Sequence, residues 1–121
     1  MPASVQLAPV DIADRTLLTF PAEIDLGNAR FLLAEACALA DERAGECRAF
    51  ILDLTRTVFI DSQGVWLLCE LRTYLLSRYG SLMRMVVPGD GLVRRVLTLA
   101  QTRRDVPLHD SVEDALRACE E

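Results

Sequence analysis

The hydrophobic positions of the central part of the chain change from strand spacing to helix spacing across a short polar break. The run from Phe50 to Leu54 is short, apolar and rich in large side chains, which predicts a buried strand. After Gly64 the leucines recur at the spacing of one helix face, at Leu67, Leu68, Leu71 and Leu75. Ser62 is therefore predicted at or within one residue of a helix N-cap, on the surface.

The rest of the chain predicts a hairpin followed by alternating strands and helices. Strands are predicted at residues 5–10, 16–20, 50–54, 81–87 and 106–108, with a turn at 11–14. Helices are predicted at 29–44, from 62 to about 79, at 92–99, and after Asp110 or Ser111. Pro21 marks the end of a strand, Asn28 is a candidate N-cap, and Gly45 is a candidate helix stop. This order predicts a mixed sheet with helices packed against it.

Two interpretations of Ser62 stay open on local sequence alone. An Asp-Ser pair at a strand-to-helix turn is typical of helix capping. The first N–H groups of a helix also form a favourable place for a phosphate group. The hydroxyl is thus either a cap or a site that can carry a phosphate.

Further segments accompany this turn and carry a resemblance to a known family. Residues 22–25 read Ala-Glu-Ile-Asp, residues 61–64 read Asp-Ser-Gln-Gly, and residues 111–116 read Ser-Val-Glu-Asp-Ala-Leu. In that order they resemble the STAS domain (sulfate transporter and anti-sigma factor antagonist), and in particular the stand-alone bacterial anti-sigma factor antagonists. The matching positions are Glu23, Ile24, Asp25, Asp53, Leu54, Asp61, Ser62, Gly64, Ser111, Glu113, Ala115 and Leu116. The likeness spans roughly residues 5–118, so residues 1–121 are expected to form one domain.

Three positions depart from the family pattern. Ala22 replaces the usual glycine, which a turn tolerates when that residue does not need a positive φ. Gln63 and Trp66 stand where the family often has small residues. These two changes alter the surface that a partner meets, and they leave the hydroxyl in place.

The resemblance implies a fold and a function. The expected fold is α/β, with a mostly parallel sheet, an N-terminal antiparallel hairpin and about four helices. Ser62 would accept a phosphoryl group from an anti-sigma factor that is also a serine kinase, and a phosphatase would remove it. Unmodified protein would bind that anti-sigma factor and free the sigma factor. Expected partner contacts are Glu23, Asp25, Asp61, Gln63 and Trp66.

Alternatives remain for several of these residues and for the function. Asp25 and Asp61 either orient the seryl hydroxyl or act only as turn and cap residues. Trp66 shares a predicted helix face with Ser62, Glu70 and Thr73, opposite the leucine stripe, so it is either an exposed partner contact or covered by a neighbouring loop. The alternative function is a constitutive STAS scaffold, or a subunit of a signalling or transport complex without a phospho-switch.

Charge and composition narrow the function classes. A net charge of −5 disfavours binding to nucleic acids. Hydrophobic residues make up 51% of the chain, which indicates a globular protein, and apolar runs fall short of the roughly 20 residues that span a bilayer. The N-terminus lacks the features of a signal peptide. The expectation is a cytoplasmic protein without membrane insertion.

Catalytic and metal chemistry have little support. The four cysteines form no C-x-x-C pair, and His109 is the single histidine, so a zinc site and other cofactors are not expected. Residues 61–64 are not the G-x-S-x-G elbow of hydrolases, and His109 is a more natural cap or surface residue than a catalytic base. Asp53, near the end of a predicted strand, superficially resembles the acceptor aspartate of a receiver domain, but the acidic cluster and the lysine that such a site requires are missing. The sequence therefore predicts a protein that is not an enzyme.

Overall fold

Seven strands and four helices make up the part of the chain that the computed structural model describes, residues 6–43, 45–100 and 106–119. The strands are β1 (Val10–Ile12), β2 (Arg15–Thr19), β3 (Glu23–Ile24), β4 (Ala49–Asp53), β5 (Phe59–Ile60), β6 (Leu82–Val86) and β7 (Leu108–His109). The helices are α1 (Ala29–Glu42), α2 (Ser62–Tyr79), α3 (Leu92–Ala100) and α4 (Val112–Ala118).

The main sheet is mixed and mostly parallel. Its five strands lie in the order β1-β2-β4-β6-β7, and only the edge pair β1–β2 is antiparallel. Helices α1, α2 and α3 bury their apolar sides in one cluster against one face, and α4 packs against the other face. The predicted fold class, an α/β sheet with an N-terminal hairpin and four helices, is confirmed.

The bounds predicted for the first strand and its turn are wrong. β1 begins at Val10, and the turn is confined to Ala13 and Asp14. Pro9 has no N–H to donate to a ladder, and Ala8 has φ 40°, in the left-handed region. The regular ladder is therefore interrupted before Val10, and only the Leu7 carbonyl still accepts from β2, from the Thr19 N–H at 2.8 Å, among the described backbone hydrogen bonds there. The start of the predicted strand at residue 5 lies outside the described residues.

The leucine stripe of α2 lies in the core, as its spacing predicts. Leu67, Leu68, Leu71 and Leu75 are all buried. The helix ends at Gly80, whose φ of 67° is the left-handed conformation that glycine adopts at least cost. No helix among the described residues is long and apolar enough to cross a bilayer.

A two-stranded parallel sheet, β3 with β5, was not predicted. It pairs Glu23 with Phe59 and Ile24 with Ile60, just beyond the carboxyl ends of β2 and β4. Strands of two residues are too short to give a periodic signal in the sequence. This small sheet brings the loop before α1 beside the N-terminus of α2.

Candidate functional site

Asp61, and not Ser62, caps helix α2. The Asp61 Oδ1 accepts hydrogen bonds from the backbone N–H of Gln63 at 2.9 Å and of Gly64 at 3.1 Å. Ser62 is the first residue of the helix, and it is exposed. Across the described ranges its hydroxyl has no hydrogen-bond partner, so the capping of α2 does not require Ser62.

Gly64 lets the first turn of α2 lie directly on the small β3–β5 sheet. A Cβ at this position would lie 2.4 Å from Ile60 Cγ1 and 2.8 Å from the Ile24 backbone oxygen. Both distances are shorter than real carbon contacts, and one of the two atoms belongs to the backbone. Close packing of the first turn of α2 on the β3–β5 sheet therefore requires a glycine at this position, two residues after Ser62.

The loop from Glu23 to Asn28 lies against Asp61, the residue next to the serine. The Leu26 N–H donates to Asp61 Oδ2 at 3.3 Å, and the Asp61 N–H donates to the Ile24 carbonyl at 3.2 Å. A single carboxylate thus holds the helix start with one oxygen and the loop with the other. The Glu23–Asn28 segment and the start of α2 form one continuous surface.

Asn28 stabilises this loop in a way that the sequence did not indicate. It precedes α1, but its side chain makes no capping hydrogen bond. Its Oδ1 accepts from the Asp25 N–H at 2.9 Å, and its Nδ2 donates to the Glu23 carbonyl at 2.7 Å. The Asp25 Oδ1 in turn accepts from the Gly27 N–H at 2.9 Å. The sequence did not indicate this positioning role of Asn28, because its side chain bonds to residues that precede it, and these contacts depend on how the loop folds.

The turn before β3 tolerates alanine at position 22, where the family usually has glycine. The alanine is outside the left-handed region, where the described non-glycine residues with positive φ are Ala8 and Ala13. Its carbonyl accepts hydrogen bonds from the N–H groups of Val58 and Phe59. The turn before β3 therefore keeps its backbone pairing with the segment before α2.

Exposed apolar side chains lie on the segments that meet at Ser62. Leu26 is 72% exposed, Val58 is 68% exposed, and Phe59 is also exposed. Trp66 lies one helical turn after Ser62 and is 37% exposed, which favours the exposed alternative over cover by a neighbouring loop. We call this set, Leu26, Val58, Phe59, Ser62 and Trp66, the serine surface. Its apolar part is of the kind that marks protein interaction sites.

Three carboxylates lie on the same segments as the serine surface. Glu23 is exposed, and Asp25 and Asp61 are half-buried in the hydrogen bonds of a turn and a cap. Those hydrogen bonds match the turn-and-cap interpretation of the two aspartates. Gln63 is half-buried and donates its backbone N–H to Asp61, while no contact of its side chain indicates a role. A phosphate on Ser62 would add about −1.5 to −2 charges to this acidic surface.

The remaining chemistry-bearing residues lie elsewhere. His109 belongs to β7, and Ser111, not His109, caps α4 by accepting from the Asp114 N–H at 3.1 Å. Asp53 Oδ1 accepts from the Thr55 N–H after β4. The four cysteines are free thiols, and burial raises the pKa values of Cys37 and Cys47. Among the described residues, no group of three His, Cys, Asp or Glu side chains is placed to hold a metal ion.

Comparison by sequence identifies a family but no curated relative. The model of the STAS domain matches residues 8–115, which is most of the chain. No curated protein matches the sequence.

Comparison by structure gives several proteins with the same fold. An anti-sigma factor antagonist from Mycobacterium paratuberculosis has a TM-score of 0.78 at 23% identity, over 100% of both chains. The Bacillus cell fate determinant SpoIIAA in the phosphorylated form has a TM-score of 0.63 at 16% identity, over 91% of this chain and 95% of that one. The murine solute carrier 26 member A9 anion transporter has a TM-score of 0.67 at 16% identity, over 92% of this chain and 18% of the transporter.

Proposed function

The chain belongs to the STAS domain family, and from this premise we propose that it is an anti-sigma factor antagonist whose partner binding is switched by phosphorylation of Ser62. The serine surface binds an anti-sigma factor with serine kinase activity, and this binding frees a sigma factor. Phosphorylation of Ser62 ends the interaction, and a phosphatase restores it. In this proposal the protein itself catalyses no reaction and acts in the cytoplasm.

The observation that carries the proposal is the separation of capping from Ser62. Asp61 supplies the cap, so the neighbouring hydroxyl is exposed and free of a structural duty among the described residues. A hydroxyl at the first position of a helix can be phosphorylated without disturbing the fold, because the helix N-terminus favours negative charge. The phosphorylated form of SpoIIAA, which has the same fold, supports this interpretation by analogy.

The surroundings of Ser62 supply a physical reason for release. A partner that packs against Leu26 and Trp66 would have to remove water from a phosphate that carries nearly two charges. The carboxylates on the segments that meet at Ser62, those of Glu23, Asp25 and Asp61, would repel the phosphate. Burying an unpaired charge costs several kcal/mol, and each 1.4 kcal/mol weakens binding tenfold. Phosphorylation is therefore expected to weaken partner binding at least 100-fold.

Trp66 is the residue of this surface that we expect to contribute most to binding. Tryptophan is enriched among the residues that dominate binding energy at interfaces, where truncation costs about 2 kcal/mol or more. Trp66→Ala is expected to weaken partner binding at least tenfold. Leu82→Ala is the matched control, because Leu82 is an exposed apolar residue at the start of β6, whereas Ser62 lies near the carboxyl ends of the parallel strands.

The test uses a purified kinase-type anti-sigma factor from the same genome. Calorimetry measures its binding to the unmodified protein, to protein phosphorylated by that kinase with ATP, and to Ser62→Ala. We expect tight binding of the unmodified protein and of Ser62→Ala, and weak binding of the phosphorylated form. Equal affinity for modified and unmodified protein would refute the switch and favour a constitutive scaffold or subunit. Unchanged affinity of Trp66→Ala would remove Trp66 from the interface.

A further inference from the structure

A group of arginines lies at the end of the sheet opposite Ser62. The parallel strands β2, β4 and β6 begin in register at Arg15, Ala49 and Leu82, and Arg84 follows two residues later on the same face of β6 as Leu82. Ser62 lies near the carboxyl ends of these strands, about 15 Å away for strands of five residues. The two regions are therefore separate surfaces of the domain.

A cavity of about 110 Å³ lies among these residues. Its lining residues are Arg15, Arg48, Ala49, Leu82, Arg84, Ala118 and Cys119. It lies on the sheet face covered by α4, next to the end of that helix, whereas the middle of the face is filled by the apolar cluster around Ile51 and Val86. The volume corresponds to roughly three or four water molecules, which is enough for one tetrahedral oxyanion.

Positive charge exceeds negative charge among the described residues around the cavity. Asp14 Oδ1 lies 3.5 Å from Arg15 Nε, and Asp14 Oδ2 lies 3.3 Å from Arg48 Nη1. The Asp14 carboxylate is thus shared by two guanidinium groups, while no salt bridge to Arg84 is present within residues 6–43, 45–100 and 106–119. Within the part of the chain that the structure describes, the cavity thus has three arginines and one nearby carboxylate.

Arg84 has an unsatisfied donor. Its Nη1 lies 3.1 Å from His109 Nε2, while its Nε is buried and has no hydrogen-bond partner among the described residues. Burial, and then the positive charge of Arg84, lower the pKa of His109, so the imidazole is neutral at pH 7 and can accept from Nη1. A buried donor of a charged group without a protein partner is costly, and such a donor commonly binds a water molecule or an ion.

The geometry points to an anion site: this cavity binds a small oxyanion of the phosphate type, held by Arg84 together with Arg48 and Arg15. Guanidinium groups suit this ligand because their planar forks donate paired hydrogen bonds to tetrahedral oxyanions. An anion there would accept hydrogen bonds from the guanidinium groups that line the cavity, and it would offset their positive charge. Because the site lies at the end of the sheet opposite Ser62, the proposal does not depend on the proposed role of that serine.

The test titrates the whole protein with inorganic phosphate and follows backbone amide signals by NMR. Sodium chloride at matched ionic strength is the control for salt screening. We expect saturable shifts at Ala49, Arg84 and Cys119 with phosphate only. Absence of saturable shifts, or equal shifts with chloride, would overturn the proposal.

Variants locate the binding. Arg84→Met keeps the apolar stem of the side chain and removes the charge, and we expect phosphate affinity to fall at least tenfold, since charge-assisted hydrogen bonds are lost. Arg48→Gln, at an exposed position that can hardly affect folding, is expected to weaken affinity several-fold even if Arg84→Met folds poorly. Arg95→Gln removes the same charge from the exposed side of α3 and is expected to bind like wild type. Wild-type affinity in Arg48→Gln and Arg84→Met would refute the site.

The His109 imidazole gives a second, independent signal. Phosphate next to Arg84 would offset the positive charge that lowers the pKa of His109, so saturating phosphate is expected to raise that pKa in the wild-type protein. In Arg84→Met the pKa is expected to be already higher and to respond little to phosphate. A His109 titration curve that does not move with phosphate in the wild-type protein would contradict binding at Arg84.

Discussion

Because Asp61 and not Ser62 caps α2, substitutions at the two positions are expected to change the stability of the fold by different amounts. Asp61 accepts two N–H groups of α2 with Oδ1 and the Leu26 N–H with Oδ2. Loss of an N-cap costs about 0.5–2 kcal/mol, and loss of a further hydrogen bond costs about 0.5–1.5 kcal/mol. Asp61→Ala is therefore expected to lower the free energy of unfolding by about 1–3.5 kcal/mol, a substantial part of the 5–15 kcal/mol typical of a domain.

Two further variants separate the contributions. Asp61→Asn keeps an oxygen that can cap the helix, but its amide nitrogen cannot accept from Leu26, so it is expected to lose about 0.5–1.5 kcal/mol. Ser62→Ala removes a hydroxyl without a described partner and is expected to stay within about 0.5 kcal/mol of wild type. The order of stability should be wild type and Ser62→Ala first, Asp61→Asn next, and Asp61→Ala last.

Urea unfolding followed by circular dichroism measures these differences, and thermal unfolding checks them. For 121 residues, 1 kcal/mol corresponds to about 4 °C in Tm, so Asp61→Ala should melt about 4–14 °C below wild type. If Ser62→Ala is as destabilised as Asp61→Ala, Ser62 is a structural cap and the reasoning fails. The same result would remove the observation that carries the proposed switch.

Three other predictions concern packing and charge. Gly64→Ala should destabilise the fold by about 1–3 kcal/mol in urea unfolding, because the clash with the Ile60 side chain outweighs the better helix propensity of alanine; a stability gain would contradict it. Hydrogen bonds from Arg43 and Thr16 lower the pKa of Asp11 in the folded state below 3.8. The Asp11 carboxylate therefore stabilises the fold fully above pH 3.8, and this stabilisation is lost as the pH falls through the folded-state pKa. Asp11→Asn should therefore be less stable than wild type at pH 7 and equal to it in strong acid, and a constant difference would refute this. A hydrogen bond to Asp41 raises the pKa of Tyr74 to about 12, and ultraviolet titration should show it returning toward 10 in Asp41→Asn.

The helices and the central strands could be predicted because their signals are local. The leucine stripe of α2 and the apolar run of β4 each lie within one element and can be recognised from nearby residues alone. Gly80 ends α2 because glycine readily adopts the left-handed conformation needed there. The position of Ser62 near the start of α2 followed from these signals. The family resemblance then supplied what periodicity cannot, which is the role expected for that hydroxyl.

The parts that could not be predicted depend on contacts between distant segments. The β3–β5 pair joins residues 36 positions apart in two-residue strands, as with Glu23 and Phe59, and neither strand has a pattern of its own. The cap could not be assigned to Asp61 over Ser62, because both residue types cap helices and only the path of the chain decides. Asn28 is expected from its position to cap α1, but its side chain instead forms hydrogen bonds with backbone groups of the preceding loop.

The most direct test of the central claim is to recover the tagged protein from its native cells, determine its intact mass and phosphorylation site, and identify what co-purifies. We predict two populations, one unmodified and bound to a kinase-type anti-sigma factor, and one that carries a single phosphoryl group on Ser62 and lacks this partner. Ser62→Ala should retain the partner under every growth condition. A protein that is never phosphorylated on Ser62 and keeps the same partners throughout growth would contradict the switch.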